Sequence, residues 1–147
     1  MKLTDLLRGE HAAFNALLDE IEELNSVSGE VAQIESTVTV LKTELRSHAA
    51  LEEKLLFPAL KPFAKTDELF AEMHADHERI RHELEQIENA RDIDEALDAV
   101  GKILGVARRH FKSEEEKLYG LADEALDEEA LDRLSEAWAA ARSEKRS

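Results

Sequence analysis

Two segments decide the fold: HAALEEKLLF at residues 48–57 and HFKSEEEKLY at residues 110–119. Each begins with a histidine, carries a glutamate four residues later (Glu52 or Glu114), and ends in an aromatic residue. Residues four apart lie about 40° apart around an α-helix, so the histidine and the glutamate of each copy face the same side. The apolar residues around both copies recur at intervals of three and four, which predicts that both segments are amphipathic helices.

The segments that precede these two copies also repeat, because residues 11–21 match residues 77–87. The matched residues are His11 with His77, Phe14 with Ile80, Leu18 with Leu84, and Ile21 with Ile87. The repeating unit is therefore a helix pair, with one histidine on its first helix and His-x-x-x-Glu on its second. Two such pairs predict an all-α, up-down-up-down four-helix bundle with an internal two-fold repeat.

Capping and helix-breaking residues set the expected bounds of these helices. The first helix is expected to begin at Thr4 and end near Asn25, with Ser26 to Gly29 as the first turn. The second helix is expected to run from Glu30 to Phe57 and to be closed by Pro58 and Pro62. The third is expected to start at Thr66 or Asp67. The fourth is expected to run from Asp92, which with Glu95 resembles a capping box, to about Gly120. Residues 1–121 are predicted to form the bundle.

Residues 122–147 are predicted to form a short extra helix that packs on the bundle or trails from it. Leu131, Leu134 and Trp138 would lie on one side of this helix. Packing on the bundle is the favoured interpretation, and a helix that binds a partner is the alternative.

The composition narrows the function. The chain has 147 residues and a formal net charge of −15, which disfavours binding to nucleic acid. It has no cysteine, so any metal must bind through imidazole and carboxylate groups. The N-terminus lacks the apolar run of a signal peptide, and no stretch approaches the roughly 20 apolar residues of a membrane span. A cytoplasmic protein without membrane contact is therefore expected.

The candidate ligands lie on the apolar stripes of the four helices: His11, His48, Glu52, His77, His110 and Glu114. Burying four imidazoles and two carboxylates without compensation would be costly, and a metal centre removes that cost. Six ligands exceed the four of a tetrahedral zinc site and suit two octahedral ions, although the ligand types do not select iron over manganese or zinc. Metal removal is expected to lower stability, most severely at mildly acidic pH, where the ligands protonate.

These residues resemble the hemerythrin-type HHE cation-binding domain over residues 3 to about 121. The resemblance is carried by HAAF at residues 11–14, HAALEEKLLFP at 48–58, HERI at 77–80 and HFKSEE at 110–115. It implies a non-haem centre of two iron ions, bridged by oxo or hydroxo when oxidised, with Glu52 and Glu114 as bridging carboxylates. Family members bind oxygen or nitric oxide, sense iron or oxygen, or assist iron–sulfur repair.

The chain departs from the oxygen-carrying hemerythrins. Met73 occupies the place of their fifth histidine, and His74 is the only candidate to replace it. Their helix-4 carboxylate is an aspartate one residue further on than Glu114, so stable oxygen carriage is in doubt.

Four further polar residues lie near the predicted ligands. Glu53 and Glu115 are expected to support ligands or to lie on the surface, and His82 is expected on the surface. Tyr119 lies nine residues beyond His110, too far along the helix to be an obvious ligand.

Two function classes follow from the resemblance. The first is a di-iron protein that binds or reacts with oxygen, nitric oxide or peroxide. If this protein is an enzyme, it is expected to be a di-iron oxidoreductase that acts on peroxide or nitric oxide and has a redox partner protein. The alternative is an iron-handling, iron–sulfur repair or sensing protein that uses the same centre. Ferritin-like oxidation needs Glu-x-x-His, and no glutamate of this chain has a histidine three residues later.

Overall fold

The computed structural model describes residues 1–26, 31–63 and 66–146, and within these ranges it contains helices and no strand. Helix α1 spans Leu3–Ser26. Helix α2 (residues 31–60) consists of Val31–Leu51, a π-helical turn at Glu52–Leu56, and Phe57–Leu60. Helix α3 spans Asp67–Glu88. Helix α4 (residues 93–125) consists of Ile93–Ser113, a π-helical turn at Glu114–Tyr119, and Gly120–Ala125, and helix α5 spans Glu128–Arg146.

Helices α1 to α4 form an up-down-up-down bundle, as the sequence predicted. Each packs on its two neighbours in a ring in which α4 closes against α1. The pairing of α1 with α4 runs antiparallel, because Thr4 bonds to Asp123 near one end and Asp19 pairs with Arg108 further along. Two buried apolar clusters fill the bundle, one around Phe14, Val38 and Ile103, and the other around Leu7, Leu56 and Leu118. None of the described helices combines the length and apolar composition needed to cross a bilayer.

Several predicted helix ends were wrong. Thr4 lies inside α1, where its hydroxyl donates to Asp123 instead of capping the helix. Helix α2 continues past Pro58 to Leu60, because the π-helical turn before it lets a new α-helical segment start with proline in its first turn, where the missing N–H is not needed. Gly120 is in a right-handed helical conformation, and α4 runs on to Ala125.

Other ends agree with the prediction or lie outside the described residues. Asp92 caps α4, since its side chain accepts from the backbone N–H of Glu95, while Glu95 accepts from the backbone N–H of Arg91. Helix α3 starts at Asp67, after Thr66. Residues 27–30, which include most of the predicted first turn and the predicted start of the second helix, lie outside the described ranges.

The extra helix packs on the bundle. Helix α5 lies against α1 and α2, and its Leu131 and Trp138 are buried in the cluster that also holds Leu3 and Leu7. This packing matters for the site, because Trp138 reaches one of the predicted ligands.

Candidate metal centre

The six predicted ligands converge inside the bundle, between the two apolar clusters. His11, Glu52 and Glu114 are completely buried, and His48, His77 and His110 are at most 9% exposed. Each of the four bundle helices contributes at least one of these side chains. The repeat in the sequence is therefore a repeat around one interior location.

The ligand atoms fall into two adjacent sets. One set comprises His11, His48, Glu52 and Glu114, and the other comprises His77, His110 and Glu114; within each set the ligand atoms lie within 4.8 Å of one another. Glu114 belongs to both sets. Glu52 also approaches the second set, because its Oε1 lies 3.3 Å from Nε2 of His77. Two carboxylates thus stand between two groups of imidazoles.

All four imidazoles have the same orientation. Their Nε2 atoms face the interior carboxylates at 2.9 to 3.4 Å. Their Nδ1 atoms face outer carboxylates: Glu10 for His48 at 2.8 Å, Glu53 for His77 at 3.3 Å, Asp76 for His110 at 3.0 Å, and Glu115 for His11 at 3.5 Å. For His48, His77 and His110, the hydrogen bond between Nδ1 and the outer carboxylate fixes the tautomer that leaves Nε2 free to bind a metal, a typical arrangement around metal-ligating histidines. Nδ1 of His11 is buried and makes no hydrogen bond to the described residues.

These outer carboxylates also follow the repeat. Glu10 directly precedes His11 and Asp76 directly precedes His77, while Glu53 and Glu115 directly follow the two interior glutamates. Glu10 and Asp76 were not predicted from the sequence, although an acidic residue before the matched histidine of both repeats was a readable signal.

Tyr119 is the residue that the sequence analysis placed wrongly. It is fully buried, and its hydroxyl oxygen lies 2.7 Å from a carboxylate oxygen of Glu52 and 2.7 Å from one of Glu114, so its single proton can be donated to either. The same oxygen lies 3.0 Å from Nε2 of His11 and 3.3 Å from Nε2 of His48. The hydroxyl therefore lies among all four members of the first ligand set.

The π-helical turn explains this position. At 100° per residue, Tyr119 would lie about 140° from Glu114, five residues before it. A turn closed by i→i+5 hydrogen bonds brings residues five apart to nearly the same face. Such turns occur at functional sites, and here both copies begin at the interior glutamate of the repeat.

Charges in the site are tightly paired. Burial alone would lower the pKa of His77, but hydrogen bonds to Glu114 and Glu52 raise it to about 10. Burial also opposes protonation of His48 and His110. The charge of Glu52 and a hydrogen bond to Glu10 nevertheless raise the pKa of His48, and the hydrogen bond to Glu114 raises the pKa of His110. Burial opposes ionisation of Glu114, yet hydrogen bonds from the four imidazoles hold its pKa well below its usual range. Burial, reinforced by Glu52 and Glu114, raises the pKa of Tyr119 well above its usual value.

The residues fit a pair of cations. Oε1 of Glu52 is buried and accepts no hydrogen bond from the described residues, although it lies 3.4 Å from Nε2 of His48 and 3.3 Å from that of His77. A buried carboxylate oxygen without a donor is costly, and a cation between the imidazoles would satisfy it. Imidazole and carboxylate ligands together suit iron and other first-row divalent metals.

A cavity of about 210 Å³ opens between α2 and α3 and reaches the second ligand set. His77 and His110 form part of its inner wall, along with His48. Ala49, Ile80, Leu84 and Phe111 make much of the remaining wall apolar. A small molecule could therefore approach the His77 side of the site from solvent.

Three further residues named in the sequence analysis belong to neither ligand set. The His74 side chain is 56% exposed, and its Nδ1 is hydrogen-bonded to Glu53, whose other oxygen faces His77. Met73 is fully buried in the apolar cluster beside Leu56. His82 is exposed.

The fold and the site define a class of protein: a four-helix bundle with an interior cluster of histidines and glutamates that could hold a metal ion. The family model described as the hemerythrin HHE cation binding domain matches residues 2–122, and the chain belongs to this family. Neither a curated protein nor a solved structure shows a significant match to the chain.

Proposed function

We propose that the chain holds two iron ions. His11, His48 and Tyr119 would bind one ion, His77 and His110 would bind the other, and Glu52 and Glu114 would be shared between them. The observation that carries the proposal is the common orientation of the four imidazoles, with every Nε2 turned to a carboxylate that both sets can use. Bound iron would supply redox chemistry and open coordination positions for small ligands.

The two ions would differ in access and in ligand number. The first would have Tyr119 as an additional ligand and only one of its histidines, His48, on the cavity wall. The second would have both of its histidines, His77 and His110, on that wall. We therefore propose that oxygen, nitric oxide or peroxide reaches the second ion between α2 and α3. With several positions left to solvent or ligand, the reduced protein is expected to be oxidised quickly in air and not to carry oxygen reversibly.

Metal analysis tests the two-ion proposal. Wild-type protein loaded anaerobically with ferrous iron should hold close to two ions per chain, and Glu114→Gln should lose at least one of them. Glu116→Gln, which alters an exposed neighbour in the same turn, is the matched control and should keep both. The proposal would be rejected if the wild-type protein held one zinc ion per chain and took up no more iron than Glu114→Gln does.

Azide binding to the oxidised protein tests the ligand route. Ala49→Leu narrows the cavity without touching a ligand, so it should slow azide binding while the iron content stays at the wild-type level. Ala32→Leu, on an exposed part of the same helix, should bind azide at the wild-type rate. Equal rates in the two variants would mean that ligands enter by another path.

A further inference from the structure

Helix α5 lies beyond residue 122, where the family match ends, yet it contacts the metal site. The ring of Trp138 packs edge-on against the imidazole of His48, with centroids 5.5 Å apart. Trp138 is 1% exposed, so this contact is part of the interior. The extra helix thus borders the ligand set that holds His11 and His48.

Two side chains of α5 hold the carboxylate of Glu10. Nε1 of Trp138 donates to Oε2 of Glu10 at 3.0 Å, and Arg142 donates to Oε1 at 2.6 Å. Arg142 also donates to Glu44 on α2 at 3.1 Å, and its guanidinium lies over the Trp138 ring. Both oxygens of Glu10 are therefore fixed by groups from α5.

Glu10 in turn fixes His48. Oε1 of Glu10 lies 2.8 Å from Nδ1 of His48, which makes Nδ1 the protonated nitrogen and leaves Nε2 free to bind a cation. A carboxylate that could rotate away would release the imidazole from this tautomer and orientation. The hydrogen bonds from Trp138 and Arg142 prevent that rotation.

In the part of the chain that the structure describes, α5 makes no such hydrogen bonds to the equivalent carboxylate in the other half of the bundle. Asp76 occupies the repeat position of Glu10 and makes the equivalent bond to His110. It lies on α3, away from the two helices on which α5 packs, and its side chain is 35% exposed compared with 22% for Glu10. The chain therefore contains a natural comparison between a supported and an unsupported outer carboxylate.

We infer that α5 contributes to metal binding. Its Trp138 and Arg142 are positioning residues that hold Glu10 against His48, and they thereby strengthen binding of the ion nearest His48. The inference rests on the proposed two-ion function. It assigns to this helix a role in tuning one ion of the pair, in addition to its packing on the bundle.

Anaerobic titration with ferrous iron against a competing chelator tests the inference. Trp138→Phe keeps the apolar ring and removes the donor, and Arg142→Gln removes the charge. Each should weaken one of the two equivalents by up to about 10-fold and leave the other unchanged, because loss of a group bonded directly to a metal ligand costs about 10- to 100-fold and these two act one step further out. Asp76→Asn should weaken one equivalent, and the double variant Asp76→Asn/Arg142→Gln should weaken both, because the two carboxylates serve different ions.

Two controls separate positioning from packing. Arg133→Gln breaks an exposed ion pair within α5 and should bind iron as the wild type does. In a Glu10→Gln background, Arg142→Gln should have little further effect on iron affinity, because it acts through Glu10. An undiminished effect of Arg142→Gln in that background would overturn the inference and assign the loss to packing.

Failure of the inference can be told from failure of the proposed function. If wild-type protein does not take up two ions, the proposed function itself is wrong. If it takes up two, while Trp138→Phe and Arg142→Gln bind iron as Arg133→Gln does, only the role of α5 is wrong.

Discussion

Tyr119 and Phe57 occupy equivalent places in the two repeats, nine residues after His110 and His48, but they make different contacts. Phe57 stacks on Phe70, with ring centroids 4.5 Å apart and planes 8° apart. Tyr119 turns its hydroxyl to the interior glutamates. The hydroxyl of Tyr119 therefore breaks the internal two-fold symmetry, and it would give an ion beside His11 a donor that Phe57 cannot supply on the other side.

Replacing Tyr119 by Phe tests this asymmetry. The variant keeps the ring and removes the oxygen, so we expect at least about 10-fold weaker binding of one iron ion. The oxidised wild type should show a visible charge-transfer band from phenolate to ferric iron, and the variant should lack it. Phe57→Leu, at the equivalent position, should keep the band; an identical spectrum and iron affinity in Tyr119→Phe would exclude a ligand role for the tyrosine.

The neighbouring glutamates of each turn are expected to differ in their effect. Glu52→Gln should reduce bound iron more than Glu53→Gln, and Glu114→Gln more than Glu115→Gln, because the first of each pair lies between the two ligand sets while the second faces an Nδ1 atom. Iron content of the four purified variants measures this. Equal loss in all four would mean that both glutamates of each turn bind metal directly.

The stripe positions of the six candidate ligands could be read from the sequence because spacings of three and four preserve one face of a regular helix. Tyr119 could not be placed this way, since the helix changes its hydrogen-bonding pattern at Glu114 and the α-helical angle no longer applies. One signal was available: a tyrosine at a core position needs a hydrogen-bond partner for its hydroxyl.

The fold class and the order of the helices were predictable from the sequence, whereas several helix ends were not. The Asp92–Glu95 capping box was read correctly because its hydrogen bonds are local. Pro58 and Gly120 were misread as stops, because each follows a π-helical turn that propensity alone does not reveal. The support of Glu10 by α5 joins residues far apart in the chain, and no spacing rule could predict it.

Asp92→Ala should lower stability without affecting iron. Loss of an N-cap costs about 1 kcal/mol, which corresponds to about 2–4 °C in Tm for a domain of this size. The cap lies about 25 Å along α4 from His110 at 1.5 Å per residue, so iron content should not change. Asp94→Ala, in the same first turn but outside the cap, should lower Tm less; loss of iron in Asp92→Ala would show that the end of α4 is coupled to the site.

Protons and metal ions would compete for the same buried imidazoles and carboxylates. Without metal, protonated His48, His77 and His110 neutralise the carboxylates around them, and the raised pKa values express that pairing. A metal ion must displace these protons, so iron affinity should fall as pH falls. In place of the expectation from the sequence, this pairing predicts that metal removal lowers stability most at alkaline pH and not at mildly acidic pH.

The stability of the metal-free protein is expected to depend on pH between pH 6 and pH 9. The pKa of His77 is about 10 in the folded chain and 6.5 in an unfolded one, so its stabilising effect is complete below pH 6.5 and is lost as pH rises towards 10. Glu114, with a lowered pKa, contributes stability that is lost only as pH falls below its usual range. Thermal melts followed by circular dichroism should therefore show the Tm of metal-free protein falling from pH 6 to pH 9, while the iron-loaded protein gains relative to it. His77→Gln should flatten the decline of Tm with pH, and His82→Gln, at an exposed position, should not. If the Tm of the metal-free protein stays level or rises from pH 6 to pH 9, the interior imidazoles are neutral without metal.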